Sequence, residues 1–470
     1  MKDSLTNEKS FGRTVLSLVL PLAIQNLINV AVNGADVFML QMIGETSLSA
    51  ASMAGQVYFI LTLILFGLSS GAAVLTAQYW GKRDTRTVEK VMGMTVRFSV
   101  AVSLVFFIVA FCFPRFVMGL LTDVPAVIDE GVPYLRIMAC SYPITAVTII
   151  CLNVLRSVEK VNISTIVYLL SLFTNIGLNL CFIKGWIGFP QIGIAGVAIA
   201  TVSARVLEIV ITLIYVRRNG LIRLRLKDIF RRNKILLKDF LHYSMPVVLN
   251  EMLWGMAISL SAIVIGHMGQ EAIAAQSVAA TMRQFTMIVA FGIANATAII
   301  VGKEIGAGRV EQAKKFARKL MRFAFIAGLC GAAVMLGLRP IIPAIMGNLS
   351  ELAAEYLRFM MLALSVSLVF SAIAATGIVG IFRAGGDTRI GLILDVGTLW
   401  FICLPLGFLA AFVWGLDVRW VYIILICDEV LKFPLVIWRF RSMKWLHNVT
   451  RDEITEQGRK EALDDGQGVS

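Results

Sequence analysis

Long apolar runs separated by short polar segments dominate the hydrophobic pattern of this chain. Twelve runs have about 20 residues or more, and about 20 helical residues cross a hydrocarbon core of about 30 Å. They lie near residues 14–40, 48–77, 91–113, 131–155, 163–184, 192–216, 240–267, 272–301, 316–337, 352–382, 389–413 and 419–440. Because a bilayer core has no water to bond backbone groups, each run is predicted to be a transmembrane helix.

The second half of the chain repeats the first at a fixed spacing. A spacing of 225 residues relates Pro21 to Pro246, Gly44 to Gly269, and Gly81 to Gly306. Six runs fall in each half, so both halves begin on the same side of the membrane, as parallel repeats do. The predicted fold class is an all-α integral membrane protein with twelve transmembrane helices in two pseudo-twofold six-helix bundles.

The repeat and the polar segments together predict four regions. Residues 1–216 form an N-terminal six-helix bundle, and residues 217–239 form a basic cytoplasmic linker. Residues 240–440 form a C-terminal six-helix bundle, and residues 441–470 form a polar cytoplasmic tail. A duplicated membrane protein of this kind usually carries its site between the repeats, which favours a transporter with alternating access over a static pore.

Composition agrees with the membrane assignment. Hydrophobic residues make up 58% of the chain and charged residues 16%, and the mean hydropathy is +0.81. Soluble domains have roughly 25% charged residues. The seven cysteines are scattered without a Cys-x-x-Cys pair, which argues against a disulfide framework or a metal knot.

The net charge of +13 is distributed unevenly. Nearly all basic residues between the predicted spans fall on the side of the N-terminus, and the linker from Arg217 to Lys238 holds nine of them against one acid, Asp228. The positive-inside rule then places both termini in the cytoplasm. We interpret the basic linker as a topology determinant that contacts anionic lipid headgroups, rather than as a nucleic-acid site.

Two acids stand out among those predicted to lie inside the membrane, where a charge is costly and indicates function. Asp36 lies in the first span, and a polar stripe precedes it at helical spacing, formed by Asn33, Asn29 and the pair Gln25 and Asn26. Glu251 lies near the middle of the seventh span. The two acids are not equivalent in the repeat and therefore predict two separate sites.

These features resemble the multidrug and toxic compound extrusion family. The resemblance rests on twelve spans in two halves, the Asp in span 1, the Glu five residues after Pro246, and the sequence Arg383-Ala-Gly-Gly-Asp-Thr388 after span 10. It covers almost the whole chain. By similarity to prokaryotic members, a cation site is expected at Asp36, Asn175, Asn179 and Thr201. Those residues would bind a metal ion only if the coupling ion is Na⁺.

This chain departs from the family pattern in two places. The second span 5 position is often Asp in prokaryotic members and is Asn179 here, which removes one negative charge. Glu251 matches the span 7 acid of another prokaryotic branch, but the span 10 acid of that branch is missing. H⁺ and Na⁺ both remain open as the coupling ion, and no other cofactor is expected.

The predicted C-terminal bundle contains side chains that can contact apolar cations of varied shape. Trp254, Met256 and Met282 offer soft or aromatic surface, and Arg283 and Asp395 add polar candidates at membrane level. For any single one of these apolar residues, ordinary core or lipid-facing packing is the favoured explanation. Arg283 has no acid within one turn of its own helix, so Glu251 or Asp395 is the expected partner.

The resemblance implies a secondary active antiporter that exports organic, mostly cationic, compounds in exchange for H⁺ or Na⁺. If cargo and coupling ion need the same ionised carboxylate, their competition alone produces exchange. We expect a monomer in the cell inner (plasma) membrane. A flippase for a lipid-linked precursor is the alternative in the same superfamily. A membrane enzyme is the alternative of another class, and no span holds clustered acids or a nucleophile beside a base.

Overall fold

The computed structural model describes residues 8–230, 233–346 and 349–457. The helices of the first half are α1 (Glu8–Ile43), α2 (Glu45–Gly81), α3 (Thr85–Cys112), α4 (Pro114–Leu121), α5 (Pro125–Ala139), α6 (Ser141–Ser157), α7 (Asn162–Lys184) and α8 (Ile194–Asn219). The linker contains α9 (Leu226–Phe230).

The helices of the second half are α10 (Lys234–Gly266), α11 (Gln270–Gly306), α12 (Val310–Leu338), α13 (Ile341–Ile345), α14 (Glu351–Ala375), α15 (Thr388–Thr398), α16 (Leu404–Phe408), α17 (Val418–Ile426) and α18 (Asp428–Arg441). Three π-helical segments lie between or after these helices, at Thr376–Phe382, Leu399–Cys403 and Leu409–Val413. The described residues contain no β-strand.

The predicted fold class is confirmed. Ten of the described helices are long and apolar enough to cross a membrane, and the bent pair α5 and α6 supplies an eleventh span. The bend of 45° follows Ala139 because Pro143 has no N–H to donate to the Ala139 carbonyl. The twelfth predicted span corresponds to α17 and α18, which are separated at Cys427 and contain buried charged residues.

The described chain divides into two compact units, and neither is a single continuous stretch of sequence. We call them the Asp36 unit and the Glu251 unit. The Asp36 unit contains Ile24–Ala72, Asp84–Leu241 and the described residues from Arg451 onward. The Glu251 unit contains the described residues up to Ala23, together with Ala73–Arg83 and His242–Thr450. The four predicted regions stay a prediction.

In the Asp36 unit, the linker docks on the start of α3. Asp228, the one acid between Arg217 and Lys238, is buried and accepts hydrogen bonds from both terminal nitrogens of Arg86, at 2.6 and 2.9 Å. Glu89 accepts from the backbone N–H of Arg223 at 2.8 Å. A bidentate pair between Arg and carboxylate fixes orientation as well as distance. This part of the basic linker is therefore held by protein contacts.

In the Glu251 unit, the end of α2 crosses the end of α11 at two glycines that are equivalent in the repeat. A Cβ on Gly81 would overlap the Lys303 carbonyl oxygen, and a Cβ on Gly306 would overlap the Gln78 carbonyl oxygen. Both obstacles are backbone atoms of the other helix, which cannot rotate away. The two glycines, 225 residues apart, therefore lie at a helix crossing that has no room for a side chain.

Part of the predicted tail packs against the turn after α14. Trp445 is fully buried, and a Cβ on Gly385 would overlap its carbonyl oxygen. The Gln78 side chain donates to the carbonyl oxygens of Ala384 at 2.8 Å and His447 at 3.1 Å, and it accepts from the Val449 N–H at 2.8 Å. The glycines of this turn therefore make room for the segment that follows α18.

The helix crossing makes a stability prediction. Gly81→Ala is expected to lower the apparent Tm of the purified protein, because overpacking against backbone typically costs about 1–3 kcal/mol. Gly55→Ala in the same helix is the matched control, since no atom beyond the adjoining residues and backbone of its own helix lies within 4 Å of the added Cβ. That control should keep or raise the Tm, because alanine is favoured over glycine within a helix by roughly 0.5–1 kcal/mol. Equal effects of the two substitutions would show that the crossing is not tightly packed.

Candidate functional site

The structure brings together the four residues expected to form a cation site in the Asp36 unit. Asn179 donates its side-chain N–H groups to Asp36 at 3.1 Å and to the Asn175 oxygen at 3.2 Å. Asn175 donates in turn to the Thr201 hydroxyl at 3.1 Å. One connected hydrogen-bond chain therefore runs from α1 across α7 to α8. We call it the Asp36 cluster.

Helix geometry explains how the sequence builds this cluster. Asn175 and Asn179 are four residues apart on α7, so their side chains lie on one face. The Thr201 hydroxyl donates to the Val197 carbonyl at 3.0 Å, which leaves its oxygen free to accept from Asn175. Asn175, Asn179 and Thr201 are buried, whereas Asp36 is half-buried.

The Asp36 cluster has the oxygen donors that a hard monovalent cation requires. The side-chain oxygen of Asn179 is buried, and it has no hydrogen-bond partner among the residues that the structure describes. Together with oxygens of Asp36, Asn175 and Thr201, it offers a set of carboxylate, amide and hydroxyl ligands of the kind that suits hard cations. In the arrangement observed, the amide N–H group of Asn179 points to Asp36. Asn179 would have to turn its amide to present oxygen to an ion bound at Asp36.

Two charged or polar neighbours of Asp36 were not expected from sequence. The positive charge of Arg205 acts on Asp36, although Arg205 makes its direct contact with Glu208 at 2.6 Å. The pairing of Arg205 with Glu208 follows from their spacing on α8, but the effect on α1 does not. Tyr134 on α5 also lies within electrostatic range of Asp36.

The polar stripe that precedes Asp36 is only partly joined to this cluster. Gln25 is 2% exposed and donates to the Thr165 hydroxyl at 2.8 Å and to the Val161 carbonyl at 3.3 Å. Gln25 therefore contacts the start of α7 rather than Asp36. Asn29 is exposed, and the side chain of Asn33 lies outside the described part of the chain.

Glu251 has a fixed cationic partner in the Glu251 unit. Arg383 donates to its carboxylate at 2.7 Å, and the side chains of Arg383 and Glu251 are only 5% and 13% exposed. Arg383 follows the π-helical segment Thr376–Phe382 and opens the Gly-Gly turn. Sequence analysis used Arg383 as a family marker and missed its pairing, because the two residues are 132 positions apart.

A second group of charges lies between α10, α11, α15 and α18. The ammonium group of Lys432 contacts Asp395 at 2.8 Å, Glu429 at 3.1 Å and Asp428 at 3.2 Å. Asn250 donates to the other oxygen of Asp395 at 3.2 Å. We call these residues, together with Arg283, the Lys432 cluster.

The expected partners of Arg283 are corrected by the structure. Arg283 contacts Glu429 at 3.3 Å and the Ser371 hydroxyl at 3.5 Å, rather than Glu251 or Asp395. The two acids are already paired with Arg383 and Lys432. Arg283 is 34% exposed and therefore lies at the edge of the Lys432 cluster.

The apolar candidates differ in exposure. Trp254 and Met282 are partly buried against the apolar core of the Glu251 unit, whereas Met256 is 52% exposed. The indole N–H of Trp400 donates to the Leu253 carbonyl at 3.0 Å, which holds this part of α10 against the π-helical segment Leu399–Cys403.

Comparison with known proteins identifies the family. The MatE family model matches residues 21–181 and 246–409, one segment in each repeat. The uncharacterized transporter YisQ of Bacillus subtilis (strain 168) is 25% identical over 93% of this chain and 96% of its own length. The probable multidrug resistance protein NorM of Rhizobium meliloti (strain 1021) is 26% identical over 86% of this chain and 89% of its own length.

A solved structure shares the fold. It is the outward-facing conformation of a multidrug resistance MATE family transporter of the MOP superfamily, with 19% identity and a TM-score of 0.79 over 92% of this chain and 96% of the other. The family model covers most of both repeats, and the relatives that it groups are transporters rather than enzymes. This multi-pass membrane protein therefore belongs to the MatE family of multidrug and toxic compound extrusion transporters.

Proposed function

We propose that this chain is a secondary active antiporter that exports organic cations in exchange for H⁺ or Na⁺, with Asp36 as the exchanging carboxylate. The observation that carries the proposal is the contrast between three predicted intramembrane acids. Glu251 is paired with Arg383 and Asp395 is paired with Lys432, but the direct contact of Asp36 is the neutral amide of Asn179. Among the described residues, no Lys or Arg forms an ion pair with Asp36.

An acid without a fixed cation can bind a mobile one. A buried carboxylate needs a compensating charge or proton, and amide donors supply only partial compensation. A proton, Na⁺ or a cationic cargo can each supply the rest. Since they use the same carboxylate, binding of one opposes binding of another, and exchange follows without a nucleotide or a covalent step.

The names of the relatives support the same class of cargo. NorM of Rhizobium meliloti is described as a probable multidrug resistance protein, which suits export of varied organic compounds. A flippase for a lipid-linked anionic headgroup would instead need free basic side chains in the spans. Arg205, Arg383 and Lys432 each contact an acid, which favours cations as cargo.

The location proposed for the protein follows from its charge distribution, and the assembly proposed for it follows from the repeats. The excess of basic residues beside the N-terminus and in the linker supports cytoplasmic termini and placement in the cell membrane. The chain supplies both repeats itself, so a monomer is the proposed working form, with the lipid bilayer and small organic cations as its partners.

The proposal is tested by gradient-driven dye transport in proteoliposomes. Purified native protein is expected to move ethidium, a permanent cation, when a proton or sodium gradient is imposed in the opposite direction. Asp36→Asn is expected to reduce the gradient-dependent rate at least tenfold, because the exchanging charge is removed. Asp123→Asn, at an exposed loop position, is the matched control and should keep the native rate.

Two outcomes would contradict the proposal. Native rates in Asp36→Asn would remove Asp36 from the exchange. Failure of both gradients to drive ethidium through the folded native protein would argue against cation antiport. Glu251→Gln should be compared in the same vesicles, because its carboxylate pairs with Arg383. We expect Glu251→Gln to slow transport while the remaining rate keeps its dependence on the gradient.

The composition of the Asp36 cluster makes a second prediction, about the coupling ion. Asn179→Asp is expected to lower the Na⁺ concentration that half-saturates dye exchange by about tenfold, because a second carboxylate beside Asp36 favours a bound cation. Asn175→Asp, one turn earlier on the same face of α7, is the comparison variant. An unchanged Na⁺ half-saturation in Asn179→Asp would show that this position does not contact the coupling ion.

A further inference from the structure

The Lys432 cluster binds an ammonium group that belongs to the protein itself. The Lys432 side chain is 3% exposed, and its ammonium group lies within 3.2 Å of all three carboxylates of the cluster. Hydrogen bonds go to Asp395 at 2.8 Å and to Asp428 at 3.2 Å. The Glu429 oxygen at 3.1 Å makes a charge contact without hydrogen-bond geometry. These acids therefore form a site of the right size and charge for a primary ammonium.

The charges in this cluster do not balance. Arg283 and Lys432 supply two positive charges, whereas Asp395, Asp428 and Glu429 supply three negative charges. The neighbouring pair of Glu251 and Arg383 is neutral as a whole. The thiols of Cys403 and Cys427, which lie 3.7 Å apart beside Asp428 and Lys432, add no charge in their neutral form. With all three acids ionised, one additional monovalent cation would therefore neutralise the cluster.

A buried hydrogen-bond acceptor without a partner also indicates a site for an ammonium group. Asn250 is 4% exposed and donates to Asp395, but its side-chain oxygen has no hydrogen-bond partner within the described ranges. A buried amide oxygen without a donor is unfavourable and needs an explanation. Because Lys432 already donates to Asp395, a second ammonium that reached Asp395 could also donate to Asn250.

The segments that carry the Lys432 cluster also carry side chains that suit an ammonium on an apolar body. Trp400 follows Asp395 on the same membrane-spanning segment, and its indole is fixed to the backbone of α10. Trp254 and Met282 are partly buried against the same apolar core. Aromatic faces and thioethers accommodate cations with apolar substituents.

We propose that Lys432 is a tethered competitor for cargo: it occupies Asp395, one half of a site, formed by Asp395 and Asn250, that also takes a primary alkylammonium cation. This inference rests on the proposed export of cations and names a cargo class and a second site for it. Arriving cargo takes Asp395 from Lys432, which keeps its contacts with Asp428 and Glu429 on its own helix. When cargo leaves, Lys432 returns to Asp395, so the acid is never left without a cation.

The proposal is tested by equilibrium binding to purified full-length protein in lipid nanodiscs, with no ion gradient. The probe is monodansylcadaverine, a fluorophore on a primary alkylammonium chain, and its N-acetylated form is the uncharged control. Two double variants give a matched comparison, because each removes one positive and one negative charge. Lys432→Met with Glu429→Gln retains the Asp395 carboxylate and removes the ammonium group paired with it. Lys432→Met with Asp395→Asn removes the Asp395 carboxylate as well as that ammonium group.

The expected result is a difference between these two variants. The variant that retains Asp395 should bind the amine at least tenfold more tightly than the native protein, because the tethered competitor is gone. The variant that lacks Asp395 should bind no more tightly than the native protein. The acetylated probe should show no difference between variants. Thermal unfolding of each variant checks that both are folded.

Equal amine affinity in the two double variants would overturn the proposal, and so would tighter binding of the acetylated probe when Asp395 is retained. Failure here is distinguishable from failure of the antiport proposal. Binding in nanodiscs needs no gradient, and Asp36→Asn should leave the affinity difference between the double variants intact. Conversely, ethidium transport can depend on Asp36 even if Lys432 has no influence on amine binding.

Discussion

The cost of placing a carboxylate in the membrane is the constraint on which the two clusters depend. Each buried acid needs a partner, and the partner decides whether the acid can exchange ions. In the Glu251 unit, acids meet the cations Arg383 and Lys432 of the protein itself. In the Asp36 unit, Asp36 meets an amide, and the chain continues through neutral groups to Thr201. This difference is the basis of our proposals that Asp36 is the coupling carboxylate and that the Lys432 cluster has a separate role.

The two repeats share the glycines of the helix crossing, but they do not share the acids inside the membrane. Gly81 and Gly306 are equivalent in sequence and each lies against the backbone of the helix that carries the other, so the constraint acts on both repeats. The acids have no such equivalence. Backbone crossings tolerate only glycine, whereas a polar position can change from amide to acid if a neighbouring residue changes with it. The two repeats can therefore share a helix arrangement and still carry different polar residues at membrane level.

Much of the fold could be predicted from sequence, because the bilayer forces long apolar helices and the repeat fixes their order. The residues of the Asp36 cluster could also be predicted, from the family resemblance and from the four-residue spacing of Asn175 and Asn179. The pairing of Glu251 with Arg383 was not predictable, because it joins helices 132 residues apart and depends on the turn that follows α14. Likewise, the spacing of Lys432 from Asp428 and Glu429 was visible, but their connection to Asp395 was not. The separation of α17 from α18 at Cys427 also has no clear signal in the apolar pattern.

The central claim is that cargo and coupling ion compete for one carboxylate, and ion-dependent dye binding tests it most directly. Ethidium affinity should be measured on the purified protein while H⁺ and Na⁺ concentrations are varied independently. The account predicts that raising at least one of these ions weakens ethidium binding to the native protein, and that Asp36→Asn abolishes this dependence. Binding that is insensitive to both ions, or that keeps its ion dependence in Asp36→Asn, would contradict the account.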